Sequence, residues 1–271
     1  MQTTTEYVLG HSAAELHRLI EQAAFFGDLT ADIFRRAELA PGMSVLDVGC
    51  GVGDVAFLAA SMVGPSGRVT GIDRAAEAVA VARERAAQAG ADNVTFEVGD
   101  AAAYQSPQTF DAVVGRLVLA YQPDPGAVLR HLASLLRRGG VLAFHECDLS
   151  TAATRPNVPL FKRYVDLVIE TYCRANLDAN MGSRLHSAFR SAGLPAPQMF
   201  AAARVESGAE SLAYAAVARV VSSAAPMMER LGVATIAELE LDTLEARLRD
   251  EITRADAVVF MPTFVGAWTR V

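Results

Sequence analysis

The chain has 271 residues, 52 % of them hydrophobic and 20 % charged, with a net charge of −7. That composition builds a globular core and excludes a disordered chain. The acidic balance, with Lys162 as the one lysine, disfavours nucleic acid, which needs cationic phosphate contacts. Cys50, Cys147 and Cys173 are too few and too scattered for a disulfide framework or a zinc site.

The polar opening Gln2-Thr3-Thr4-Thr5-Glu6 has no signal-peptide pattern, and no apolar run reaches the ~20 residues of a membrane span. A cytoplasmic location is expected. Ser12 and Glu15 form a capping-box pattern ahead of Leu16, Leu19, Ile20 and Ala23 at helical spacing. A second helix is expected from about Leu29 to Leu39, stopped by Pro41-Gly42.

Short apolar strands then alternate with alanine-rich helices: strands near 43–48, 67–72, 93–98, 110–115 and 140–146, helices near 53–63, 75–90 and 124–137. The alternation predicts an α/β fold, a parallel sheet with helices on both faces. Beyond 150, helices are expected near 160–176, 183–192, 209–223 and 235–254, with strands at 198–206 and 257–265.

The most informative stretch is Val45-Leu46-Asp47-Val48-Gly49-Cys50-Gly51-Val52-Gly53-Asp54. A buried strand runs into glycines that permit a tight turn and close backbone approach to a ligand. About 20 residues beyond Gly53, Asp73 closes the second strand, the spacing at which an acid grips ribose hydroxyls. The glycines alternate, however, and Asp54 occupies the place where a dinucleotide fingerprint needs a small residue. A nicotinamide-dependent oxidoreductase is therefore disfavoured. No Lys-Ser/Thr follows the glycines, which excludes a P-loop. Asp47, Gly49, Asp73, Asp100, Arg116 and Glu146 all fall at or just beyond strand ends, where such sheets bind ligands.

This stretch resembles motif I of the class I S-adenosylmethionine-dependent methyltransferases. The likeness continues through Asp73, Val98-Gly99-Asp100-Ala101, Phe110–Arg116 and Leu136–Leu142, where Arg138 replaces the usual proline. It is nearest to the ubiquinone/menaquinone and natural-product type. The resemblance implies a Rossmann-like, seven-stranded, mostly parallel sheet. It divides the chain into an N-terminal helical lid (1–40), a cofactor-binding core (41–150), and cap helices with the last two strands (151–271).

The resemblance also implies roles for residues. Gly49, Gly51 and Gly53 would leave room for the homocysteine portion, with Cys50 inside the turn, and Asp47 would hold the amino group. Asp73 would take the ribose hydroxyls, with Arg74 flanking the adenine that Asp100 and the Ala101 N–H read. Arg116 and the following Leu117, with Tyr7 and Gln22 from the lid, would lie near the methionine end. The reaction implied is methyl transfer from S-adenosylmethionine to a small apolar or aromatic metabolite, O-methylation ahead of C- or N-methylation. The rival is a protein of this fold that binds the cofactor without transferring methyl.

An acceptor hydroxyl or amine needs a base. His145, Glu146 and His11 are the candidates, and alternation lets only one of His145 and Glu146 face the pocket. His17 and His186 are weaker candidates, and His131 is expected to be structural. Phe161, Tyr164, Met181, Phe189, Met227 and Met228 could wall an apolar pocket or serve as core. No metal is expected. The partner expected is a small-molecule acceptor; a homodimer is left open.

Overall fold

The computed structural model describes residues 13–271, with side chains from Phe25 onward. Tyr7 and His11 therefore lie outside the described residues, as do the side chains of Gln22 and His17. Helix α1 (Ala13–Arg36) leads into β1 (Ser44–Val48), α2 (Asp54–Val63), β2 (Arg68–Asp73), α3 (Ala76–Ala89) and β3 (Val94–Val98). β4 (Phe110–Arg116), α4 (Pro125–Ala133) and β5 (Leu136–Asp148) complete the alternation. Then come β6 (Ala153–Arg155), α5 (Pro159–Arg174), α6 (Met181–Ser191), β7 (Gln198–Ala202), β8 (Val205–Glu206) and α7 (Ala213–Arg230). Helices α8 (Ile236–Leu239) and α9 (Leu241–Arg254) precede β9 (Val258–Phe260) and β10 (Thr263–Arg270).

The main sheet has seven strands in the order β3-β2-β1-β4-β5-β10-β7. The first five are parallel, and β10 runs antiparallel to both β5 and β7. Strand order reverses between β1 and β4, so the carboxyl ends of these two strands frame a crevice.

Side-chain alternation divides the core in two. Val45, Ala112, Val114, Val141 and Ala143 pack against Ile33 and Phe34 of α1 and Ala56, Ala59 and Val63 of α2. Leu46, Val48, Val113, Leu142 and Phe144 face the opposite way, into a core shared with α4, α6 and the helices after residue 158. Helix α1 crosses β10 closely: a Cβ on Gly266 would lie 2.1 Å from Ile33 Cδ1.

Four expectations need correction. Residues 13–36 form one helix, not two segments, because the buried apolar face of Phe25, Phe26, Ile33 and Phe34 runs across Gly27. Helix α4 ends at Ala133, and Leu136 already pairs with Phe110 in β5. The stretches 198–206 and 257–265 each divide between two sheets: β8 and β9 join β6 in a separate three-stranded sheet. Pro262, which has no N–H to give a ladder, stands between β9 and β10. The expected helix over 235–254 breaks at Glu240, whose φ is +48°, into α8 and α9.

Candidate active site

Beyond β1 the backbone turns through Gly49 (φ +65°), Gly51 (+52°) and Gly53 (+95°), all in the left-handed region that side chains resist. A Cβ on Gly49 would fall 2.6 Å from Val118 Cγ2, and one on Gly53 would fall 2.7 Å from Phe96 Cζ. Asp73 ties this turn to β2: its Oδ2 accepts the Gly51 N–H and its Oδ1 the Ala75 N–H, each at 2.9 Å. Asp54, in the first turn of α2, pairs with Arg85 at 2.7 Å. A carboxylate there holds the helix end that a pyrophosphate would need.

One cavity of about 870 Å³ opens above this turn. Gly49, Cys50, Gly51, Asp73, Arg74, Asp100, Ala101, Arg116 and Leu117 line one end, and Glu146 lines the same cavity. Phe25 and Phe26 of α1, Val165 and Val168 of α5, and Val217 and Val220 of α7 form much of the apolar wall. Asp100 Oδ1 accepts the Ala102 N–H at 2.9 Å, which fixes the turn that presents Ala101. Burial pushes the Cys50 thiol up, with Asp47 and Asp73 adding to the effect, so it stays protonated.

Three predicted residues do not reach the cavity wall. Gly53 shapes the turn beneath it. Asp47 is fully buried on the α1 side of the sheet, and among the described residues neither of its carboxyl oxygens has a hydrogen-bond partner. Burial holds its carboxyl well above the usual carboxylate range, opposed by the nearby Arg116 guanidinium. His145 also faces α1, as its parity with Val141 and Ala143 requires. Its Nδ1 stands 3.3 Å from Thr30 Oγ1 and its ring 5.0 Å from that of Phe264. Burial, aided by Arg116, pushes His145 down to about 3, so the imidazole is neutral at pH 7.

Glu146 takes the other face. The chain leaves β4 through Leu117, held at φ +56°, and the next two amides turn toward β5. Glu146 Oε1 accepts the N–H groups of Val118 and Leu119, both at 2.8 Å, while Oε2 is buried with no hydrogen-bond partner among the described residues. Burial raises this carboxyl to about 7, against the pull of those amide hydrogen bonds. The hydroxyls of Tyr121 and Tyr172, both on the cavity wall, lie 2.6 Å apart.

Of the expected wall residues, Phe161 and Tyr164 line the cavity, whereas Met181, Phe189, Met227 and Met228 are buried core. His131 is structural, its Nε2 2.9 Å from Tyr104 O, and His186 is exposed. Sequence reading missed Phe25, Phe26, Tyr121, Tyr172, Arg204 and Arg219 as wall residues. Aromatic spacing on α1 and α5 signals Phe25, Phe26 and Tyr172, whereas Tyr121 lies in the turn between β4 and α4.

A doubly wound sheet with a glycine turn at its switch point, followed by an acid ending each of the next two strand units, defines a Rossmann-like methyltransferase fold. Residues 39–193, more than half of the chain, match the family described as a methyltransferase domain, and the chain belongs to that family. S-adenosylmethionine is its cofactor.

Among curated relatives, nocamycin O-methyltransferase of Saccharothrix syringae is 39 % identical over 43 % of this chain and 42 % of its own. A ubiquinone biosynthesis O-methyltransferase of Albidiferax ferrireducens is 42 % identical over 40 % of this chain and 43 % of its own. The matched segments thus span less than half of either relative. Among solved structures, phosphoethanolamine N-methyltransferase 2 of Haemonchus contortus, bound to phosphomonomethylethanolamine and S-adenosylhomocysteine, superposes with a TM-score of 0.53. It is 19 % identical, covering 89 % of this chain and 52 % of that one, a likeness of fold. Among the described residues no helix is long and apolar enough to cross a membrane, and no group of three or more His, Cys, Asp or Glu could hold a metal ion.

Proposed function

We propose that this protein methylates a hydroxyl of a small, largely apolar metabolite. The observation that carries the reading is the continuity of the cavity: the glycine turn, Asp73 and Asp100 open into the same space as the apolar walls of α1, α5 and α7. The residues at the first end fit the cofactor. The glycine turn leaves no room for side chains, and Asp73 and Asp100 stand at neighbouring strand ends with free lone pairs for ribose and adenine donors. Arg74 flanks the base, the Ala101 N–H reads its ring, and Arg116 meets the amino-acid end.

S-adenosylmethionine, when bound, supplies a methyl group from a positively charged sulfur. The chain's contribution is alignment, which can be worth roughly 7–11 kcal/mol of barrier, together with one proton transfer. Glu146 Oε2 takes the acceptor's hydroxyl proton as the oxygen becomes an ether, while Oε1 stays anchored by two amides. A carboxyl raised to about 7 is matched to that task near neutral pH. Residues 1–40 serve as the lid, and α5 with α7 as the cap that excludes water and selects the acceptor.

The test is calorimetric titration with S-adenosylmethionine, with NAD as control, followed by methyl-labelled turnover on a panel of phenols and enols. Binding of the sulfonium cofactor alone, with label transferred to oxygen, is the expected result. Binding of NAD in its place, or label on nitrogen or carbon, would overturn the reading.

A further inference from the structure

Thr30 lies 115 residues from His145 in the chain, yet its hydroxyl sits in the middle of a polar cluster between α1 and the sheet. Thr30 is completely buried, and its Oγ1 accepts a hydrogen bond from Arg116 Nη1 at 3.2 Å. The same oxygen lies 3.3 Å from His145 Nδ1 and 3.3 Å from the carbonyl of Phe26, one turn earlier in its own helix. A hydroxyl has one proton to donate and can accept twice. Donation to Phe26 O or to the neutral His145 ring therefore leaves an acceptor for the guanidinium in either tautomer.

Arg116 lines the cavity at the end of β4, and the fully buried Asp47 lies behind it, with no hydrogen-bond partner among the described residues for either oxygen. The guanidinium there lies between the buried Asp47 carboxyl group and whatever anion enters the cavity. The Thr30 contact is a directional one, and it comes from the helix that also supplies Phe25 and Phe26 to the cavity wall.

We propose that Thr30 is a positioning residue for cofactor binding: by holding Arg116 Nη1 it presents the guanidinium to the carboxylate of the cofactor's amino-acid end. This rests on the cofactor site proposed above. His145 supports the same contact from beneath, which gives that buried histidine a role outside proton transfer. Helix α1 thus contributes both to the wall of the cavity and to the charge that orients its ligand.

The test compares two ligands that share adenosine and the thioether and differ at the amino-acid end. S-adenosylhomocysteine carries it; 5′-methylthioadenosine does not. Thr30→Val removes the acceptor while keeping the branched shape, and affinity for S-adenosylhomocysteine should fall about tenfold, the scale of one charge-assisted hydrogen bond. Affinity for 5′-methylthioadenosine should be unchanged, and Thr30→Ser should restore wild-type binding of both. Thr30→Ala replaces Thr30→Val if the valine variant does not fold. Equal losses for both ligands would mean a merely structural role, and unchanged affinities would mean that Arg116 needs no help; either overturns the proposal. Failure of the wild-type protein to bind S-adenosylhomocysteine would instead overturn the cofactor site, and this inference with it.

Discussion

His145 and Glu146 are neighbours on β5 whose side chains enter opposite halves of the core. His145 meets Thr30 under α1, while Glu146 meets the Val118 and Leu119 amides at the cavity. One residue of register separates a group that packs under α1 from one that faces the cavity.

Glu146→Gln keeps the shape and loses the base. With the wild-type carboxyl raised to about 7, methyl transfer should rise with pH through neutrality, and the variant should lose that limb and about 10²-fold or more in kcat. Stability should move the other way. The folded carboxyl binds its proton more tightly than the unfolded one, so the wild type loses stability as pH rises from about 4.5 to 7. The variant lacks this term and should gain on the wild type by about 3 kcal/mol across that window. Urea midpoints at pH 5 and pH 8 measure it; a constant difference between the two proteins would mean that Glu146 is ionised throughout.

His145→Asn should leave the neutral limb of the rate profile in place. The wild-type imidazole is held down to about 3, so the unfolded chain binds a proton that the folded chain refuses between about 6.5 and 3. The stability this gives is present above pH 6.5 and is lost as pH falls through that window. The asparagine variant should therefore show a shallower acid decline, read as thermal midpoints at pH 7, 5.5 and 4.

The five parallel strands were legible because each carries its signal locally, an apolar run with a glycine or acid at its end, and alanine-rich helices follow β1 and β2. The glycine turn and Asp73 followed from the same local grammar. What could not be read was tertiary. The choice between His145 and Glu146 depends on which face α1 covers. The fate of Asp47, buried behind Arg116 rather than open to the cavity, depends on the same packing. The aromatic pair Phe25 and Phe26 reads as an ordinary apolar face until α1 is laid along β10, where Phe26 and Phe264 stack with ring centroids 4.5 Å apart.

Gly53 and Gly27 should respond oppositely to alanine. At Gly53 the backbone is left-handed and a Cβ would collide with Phe96, so Gly53→Ala should cost about 1–3 kcal/mol. Gly27 lies inside α1 with open space where its Cβ would be, and Gly27→Ala should stabilise by about 0.5–1 kcal/mol. Denaturant melts of the two variants check both signs.

Asp73→Ala should weaken S-adenosylmethionine binding by about 1–3 kcal/mol through loss of a charge-assisted hydrogen bond. Because Asp73 also receives the Gly51 and Ala75 amides, the alanine variant should in addition loosen the turn. Amide exchange at Gly51 separates the two effects. Unchanged cofactor affinity in calorimetry would sink the ribose assignment.

Val217 tests the division of the cavity between cofactor and acceptor. It lies on α7, in the apolar wall, and α7 packs against α1 and α5 rather than on the glycine turn. Val217→Trp adds a large side chain to space that the proposed function gives to the acceptor alone. The acceptor KM should rise by about tenfold or more, on the scale set by the loss of a few buried methylenes. Affinity for S-adenosylhomocysteine should stay within about twofold, since Asp73, Asp100 and Arg116 are untouched and distant substitutions act independently. A parallel loss of both affinities would mean that cofactor and acceptor share the apolar wall, and the acceptor would then have to be sought nearer Tyr121 and Tyr172.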